Sequence, residues 1–141
     1  MIAEVLACMA LNIYHEARNE STVGQVAVAQ VVMNRVHDDR FPNDPCAVIY
    51  DGRHYKAESG KLVPVRDRCQ FSWYCDGLPD EPRNAKAYAV AYENAKTVIE
   101  GHYIGLLDGA THYHADYVTP RWSRFHTRIV KIDTHIFYRW D

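Results

Sequence analysis

Two glutamates, Glu16 and Glu20, stand four residues apart in "NIYHEARNES" (12–21), directly after an apolar run. A carboxyl group at the C-terminal end of a helix meets partial negative charge, which disfavours its ionised form. Burial against a second helix raises its pKa further. A carboxylic acid kept protonated in this way suits general-acid cleavage of a glycosidic bond. The plain alternative is a surface ion pair of Glu16 with Arg18 or Arg35. If the helix ran on, Glu20 would share a face with Glu16 at about 6 Å, the two-carboxylate pattern of many glycosidases. Asn19-Glu20-Ser21 reads as a turn, however, which makes Glu20 a cap or tether of the next helix.

A second constellation is "THYHAD" (111–116). In a strand, His112 and His114 point to one face. With Asp116 or His135 they would offer zinc ligands, the basis of a rival reading as a zinc-dependent peptidase or amidase. The alternative is a pair of histidines lining a groove or bonding to backbone. Neither HExxH nor CxxC strengthens the metal case. Ser72 lies among aromatics in "QFSWYCDG", outside any GxSxG elbow. "TPRWSRFH" sets Trp122 between Arg121 and Arg124, an aromatic with flanking donors that suits carbohydrate or peptide contact and equally suits a half-buried loop anchor. No phosphate-binding loop is present.

The elements that must carry these groups follow from periodicity. Ile2, Val5, Leu6, Met9, Ala10, Ile13 and Ala17 recur at helical spacing, so Glu16 falls in a last helical turn. Ser21 or Thr22 caps a second helix running to about His37, with Gln25 placed for a capping box with Thr22. That helix is rich in small and β-branched residues, which predicts burial on most sides. From Asp38 to Asp80 the pattern loosens. "AVIY" and "QFSWY" read as short strands, and "DGRHYKAESGK" as a loop or hairpin tip. Asp80, Glu81 and Pro82 open a third helix, with Gly101 at its end. "ATHYHA", "RIVKID" and "HIFYRW" read as strands, with Asp133-Thr134 turning a hairpin. The order is helix, helix, loops, helix, sheet: an α+β single domain spanning 1–141.

With 141 residues and 48% apolar composition the chain has material for one core. A net charge of −2 with scattered Lys and Arg excludes a non-specific nucleic-acid binder and supplies no long-range pull toward anionic membranes or polymers. No stretch reaches the roughly 20 apolar residues of a membrane span. The N-terminal segment lacks a basic start and a cleavage site, so it is read as part of the fold. Ten tyrosines suit grooves for sugars or peptides, although each singly is more ordinary as a half-buried strand residue. Of the four cysteines, Cys8 fits the first helix as a plain core residue. Cys69 could bridge to Cys75, or Cys46 to either one.

Taken together, "HEARNES", "GQVAVAQVVMNRV", "FPNDPCAVIY", "CQFSWYCDG", "GATHYHADYVTPRWSR" and "THIFYR" resemble the spore-cortex-lytic type of cell-wall hydrolase family of bacteria and their phages. The pieces span nearly the whole chain in order. Glu16 and Glu20 match the acids of that family's E-A-R-x-E motif, with Asn19 where glycine is usual. The resemblance implies a lysozyme-like fold of the goose-type or lytic-transglycosylase kind, with N-terminal helices and a small C-terminal antiparallel sheet. It implies peptidoglycan as the partner and Glu16 as the single catalytic acid. It also implies a cut between N-acetylmuramic acid and N-acetylglucosamine, as a lytic transglycosylase or a muramidase. Glu20, Gln70, Ser72, Tyr113, His114 and Trp122 are the candidates for the substrate groove. The reading needs no cofactor or metal, takes the protein as a monomer, and places its action at the cell wall or periplasm. A chain without a visible leader would suit a phage lysin released by a holin, or a trimmed piece. A non-catalytic wall-binding module is the other alternative.

Overall fold

The computed structural model describes residues 2–141 as four α-helices, a hairpin and a three-stranded antiparallel sheet. Helix α1 (Ile2–Ala17) buries Met9, Ala10 and Ile13 completely, as its spacing predicts. Asn19-Glu20 then turns the chain, with the Glu20 N–H donating to the Ala17 carbonyl at 2.9 Å. Helix α2 (Thr22–Val36) is buried almost all round from Gly24 to Val32. Its N-cap is Ser21, whose hydroxyl accepts from Gly24 N at 3.1 Å. The expected capping box does not form. Gln25 is drawn inside, where its Oε1 accepts from Asn94 Nδ2 at 2.8 Å.

Two segments read as strands are helical. "AVIY" lies in α3 (Pro45–Ile49), started by Asp44, whose carboxylate accepts from Ala47 N, with proline at the tolerated first position. "QFSWY" contains a 3-10 turn, Ser72–Cys75, that tucks Trp73 into the core. Trp73 donates from Nε1 to Asn12 Oδ1 at 2.8 Å, and His15 stacks on its ring at 4.7 Å. Between these segments, β1 (Gly52–Lys56) and β2 (Leu62–Cys69) pair as a hairpin. Helix α4 (Ala85–Ile99) begins three residues later than Pro82 suggests. The Tyr14 hydroxyl accepts from the N–H groups of Arg83 and Asn84, and Asn84 caps the helix. Asn84 is extended, at φ −111 and ψ 101, so the helical path begins only after it. Gly101, at φ +88, takes the left-handed position just beyond its end.

Strands β3 (His112–Ala115), β4 (Thr127–Ile132) and β5 (His135–Arg139) form the sheet in the order β3-β5-β4. Asp133, at φ +52, turns β4 into β5. One core lies among the four helices, Phe71 and Trp73. A second joins α2 to the sheet through Ala27, Val31, Leu107, Ala110 and Phe137. Two disulfides are present. Cys8 is not a free core residue, for it bonds Cys46 and ties α1 to α3. Cys69 bonds Cys75.

The hairpin turn at Asp133 is latched onto the start of α2. Asp133 Oδ2 accepts from Ser21 N at 2.9 Å and from Ser21 Oγ at 2.6 Å. Glycine at 24 makes room for it, because a Cβ there would lie 2.4 Å from Asp133 Oδ2 and 2.9 Å from Glu20 Cβ. Gly24→Ala should therefore destabilise the fold by about 1–3 kcal/mol, as overpacking does. A denaturant midpoint equal to or above that of the parent would refute this close approach.

Candidate active site

Helix α1 delivers Glu16 to the floor of a cleft of about 470 Å³. The far wall is β3, and the near wall is the segment after β2, which the Cys69–Cys75 bridge closes into a loop. Tyr113 donates its hydroxyl hydrogen to Glu16 Oε1. Glu16 has no ion-pair partner among the described residues. Arg18 instead donates to the Tyr14 carbonyl at 3.3 Å and lies over that ring, so the surface pairing with Arg18 is not formed.

Arg35 is buried within α2 rather than at the surface. Its Nε donates to the Thr111 carbonyl at 2.8 Å and its Nη1 to Gln70 Oε1 at 3.4 Å. Phe41 and Phe71 flank its guanidinium. It thereby joins the two walls of the cleft and sets a fixed positive charge near the carboxyl group. Sequence reasoning considered Arg35 only as an ion-pair partner. The signal for more was a cation in a helix whose neighbours are apolar or small.

Electrostatics follow from burial. Desolvation raises the Glu16 pKa, against smaller lowering influences from the Tyr113 hydrogen bond, His15 and Arg35. Burial and the neighbouring carboxyl push the Tyr113 phenol well above its ordinary range, so it stays a donor. Burial, with Arg35 nearby, lowers His112 to about 4, leaving it neutral at ordinary pH. Among the described residues Glu16 is the one carboxylate lining this cleft.

The structure brings Gln70, Ser72, Tyr113, His114 and Trp122 together around Glu16. Tyr117, 85% exposed, also lines it. Nothing in "DYVTP" marked that tyrosine, because exposure is not written in a local pattern. A smaller hollow of about 350 Å³ continues past Glu16 on the other side and shares Tyr117 and His135 with the cleft. Glu20 lines that hollow rather than the cleft. Helix α1 ends at Ala17, so the two acids do not share a helical face. Nor does Glu20 cap α2. Its Oε1 accepts from the Thr134 hydroxyl and lies 3.4 Å from His135 Nδ1, which tethers the corner to the hairpin turn.

The zinc arrangement is not assembled. His112 and His114 share a face of β3, but His114 Nδ1 meets the Ala115 carbonyl at 2.7 Å and Nε2 the Tyr138 hydroxyl at 2.9 Å. Nδ1 thus carries the hydrogen and Nε2 accepts. His112 Nδ1 is engaged with Thr111 Oγ1, and Asp116 pairs with Lys131 at 3.1 Å. No group of three or more His, Cys, Asp or Glu among the described residues is placed to hold a metal ion. A larger groove of about 690 Å³, bounded by α1, α4 and the loop before α4, is chiefly apolar and does not include Glu16. Among the described residues no helix is long and apolar enough to cross a membrane.

The family model for cell wall hydrolases matches residues 19–138, beginning just after Glu16. Among curated proteins, the spore cortex-lytic enzyme of Halalkalibacterium halodurans is 29% identical over 131 residues, which cover 92% of this chain and 33% of that protein. The spore cortex-lytic enzyme of Bacillus cereus is 30% identical over 132 residues, covering 92% and 42%. The chain thus spans a third to two fifths of the length of these relatives. Among solved structures, the catalytic domain of the germination-specific lytic transglycosylase SleB from Bacillus anthracis superposes with a TM-score of 0.71. It is 29% identical, with 96% of this chain and 93% of that one covered.

Proposed function

The chain belongs to the cell wall hydrolase family, and from that premise we propose that it cleaves peptidoglycan glycan strands as a lytic transglycosylase, with Glu16 as its acid and base. The observation that carries the reading is one desolvated carboxyl group, raised in pKa, in a cleft that continues on both sides of it. Protonated Glu16 gives its hydrogen to the oxygen linking C1 of N-acetylmuramic acid to N-acetylglucosamine, and the C1–O bond breaks. A retaining glycosidase would place a second carboxylate on C1. Here Glu20 is held by the Thr134 hydroxyl, so the substrate's own N-acetyl group supports the developing positive charge. Glu16, now a carboxylate, takes the hydrogen of the muramoyl 6-hydroxyl as that oxygen bonds C1. The product is a 1,6-anhydro end and the acid is restored.

Tyr113 positions the carboxyl group and stabilises its charged form between the two steps. The two disulfides suit an oxidising location at the cell wall. One chain supplies every wall of the cleft, in keeping with a monomer. The raised carboxyl group is unneeded in a module that only binds, which favours an enzyme over that alternative.

Mass spectrometry of fragments released from purified sacculi tests the chemistry. Fragments with anhydromuramoyl ends are expected. Reducing ends heavier by one water would make it a muramidase, and freed peptides an amidase. Tyr113→Phe gives a second test. The lost hydrogen bond favoured the ionised carboxyl group, so the Glu16 pKa rises further. Cleavage needs the protonated acid and fades as pH rises through that pKa, so the alkaline limb of the rate profile should move upward in the variant. A limb that stays put or moves down would contradict the assigned contact.

A further inference from the structure

The 3-10 turn Arg121–Arg124 carries Trp122 into the cleft and leaves Arg121 and Arg124 exposed. A 3-10 helix has three residues per turn, so side chains at i and i+3 eclipse, with about 6 Å of rise between them. In that geometry the two side chains leave the same side of the turn. Neither has a hydrogen-bond or ion-pair partner among the described residues. The acids flanking the turn in sequence are already taken: Asp108 and Asp141 by Arg139, Asp116 by Lys131, and Asp133 by Ser21. Phe125, 77% exposed, follows directly, with the Arg124 guanidinium 5.9 Å from its ring centre. In a chain of net charge −2 with 18 acidic residues, two adjacent like charges lack a counter-charge beside the cleft.

We propose that Arg121 and Arg124 form a lip that binds the carboxylates of the peptide stems carried by the glycan strand. The inference rests on the glycan-strand reading above and names the substrate class within it: strands bearing acidic stems, in preference to bare ones. A planar guanidinium pairs with a carboxylate through two parallel hydrogen bonds, and two of them side by side match the closely spaced acids of one stem. Every stem-bearing muramoyl residue presents its peptide away from the sugar ring. A strand stacked along Trp122 thus brings stems toward the turn in which Arg121 and Arg124 flank that ring. The exposed Phe125 ring adds an apolar contact for the stem's alkyl side chains.

Binding of soluble glycan strands to the Glu16→Gln protein tests this without relying on cleavage, so the glycosidase reading stands or falls separately on the fragment masses. Three ligands are compared: strands with intact stems, the same strands with stem carboxylates converted to amides, and strands stripped of stems by an amidase. Intact stems should bind on the order of ten-fold more tightly than amidated ones, and the gap should narrow with added salt. Adding Arg121→Gln and Arg124→Gln should close the gap, and Arg→Lys at both should restore part of it. Circular dichroism would verify that the substituted protein keeps its fold. Equal binding of intact and amidated strands would overturn the proposal. So would a uniform loss across all three ligands in the substituted protein, or tighter binding of a glycerol-phosphate polymer than of stem-bearing strands.

Discussion

Glu16→Gln is expected to lower the cleavage rate by at least the roughly 10²–10⁴-fold that general acid–base catalysis supplies, and by more because one group serves both steps. The amide has the carboxyl's shape and still accepts from Tyr113, yet it neither delivers nor recovers a proton. Its effect on stability has the opposite sign. Desolvation raises the folded-state pKa of Glu16, so the carboxyl's contribution is fully present below its unfolded value of about 4.3. That contribution is lost as pH rises through the folded value, because the unfolded chain ionises more readily. Gln does not ionise. The variant should therefore gain melting temperature over the parent as pH is raised from 4 toward 8. An inactive protein that grows relatively more stable with pH identifies a functional acid stored at the expense of the fold. Turbidity clearance of purified sacculi and thermal melts across pH measure the two effects on the same samples. Full activity in the variant would remove Glu16 from the chemistry.

Opening the Cys8–Cys46 bridge should have the largest effect on stability. The bridge closes a loop with a sequence separation of 38. In the chain-entropy description a loop of that length contributes about 4 kcal/mol. At this chain size that amounts to roughly 10–15 °C in melting temperature. Cys8→Ala with Cys46→Ala should show the shift in oxidising buffer, where the Cys69–Cys75 bridge stays closed. Dithiothreitol should lower the parent further still, because the shorter loop contributes about 2 kcal/mol more by the same relation. The two disturbances differ in kind. The first loosens α1 against α3 at the apolar groove, away from the cleft. The second frees the segment bearing Gln70 and Ser72, so it should weaken substrate binding more than its effect on melting suggests. A parent melting curve indifferent to dithiothreitol would contradict both bridges.

The long helices were legible because their apolar spacing is a local signal that burial respects: Met9 and Ile13 of α1 and Val26 to Val32 of α2 are buried as the pattern requires. The three C-terminal strands and the Asp133 turn were legible for the same reason. The failures share another cause. "AVIY" is β-branched and apolar, yet Asp44 and Pro45 ahead of it form a helix start that outweighs strand preference. "QFSWY" turns because Trp73 reaches Asn12, 61 residues away. Helix α4 starts late because Asn84 is its extended N-cap, held in place by the Tyr14 hydroxyl from 70 residues away. Cys8 fits a core pattern equally well whether or not it is bridged. At the site, a carboxyl group at a helix end was visible in "NIYHEARNES". Its desolvation was not, because the burying groups Tyr113 and Arg35 come from distant positions. Glu20 was read as cap or groove residue. Its actual partner, Thr134, lies 114 residues away.

The latch at the hairpin turn bears on when activity begins. Tyr113 meets Glu16 across 97 residues, Asp133 meets Ser21 across 112, and Thr134 meets Glu20 across 114. During translation, a nascent chain exposes Glu16 long before the strand carrying Tyr113 leaves the ribosome. The contacts that set its pKa and close the cleft form only after the β4–β5 hairpin has emerged and paired. Unfinished chains and chains cut short before β5 hold the reactive carboxyl group in a solvated helix end, with no wall opposite it. Synthesis order thus withholds the cleft from Glu16 until β5 has paired, and with it the activity proposed above.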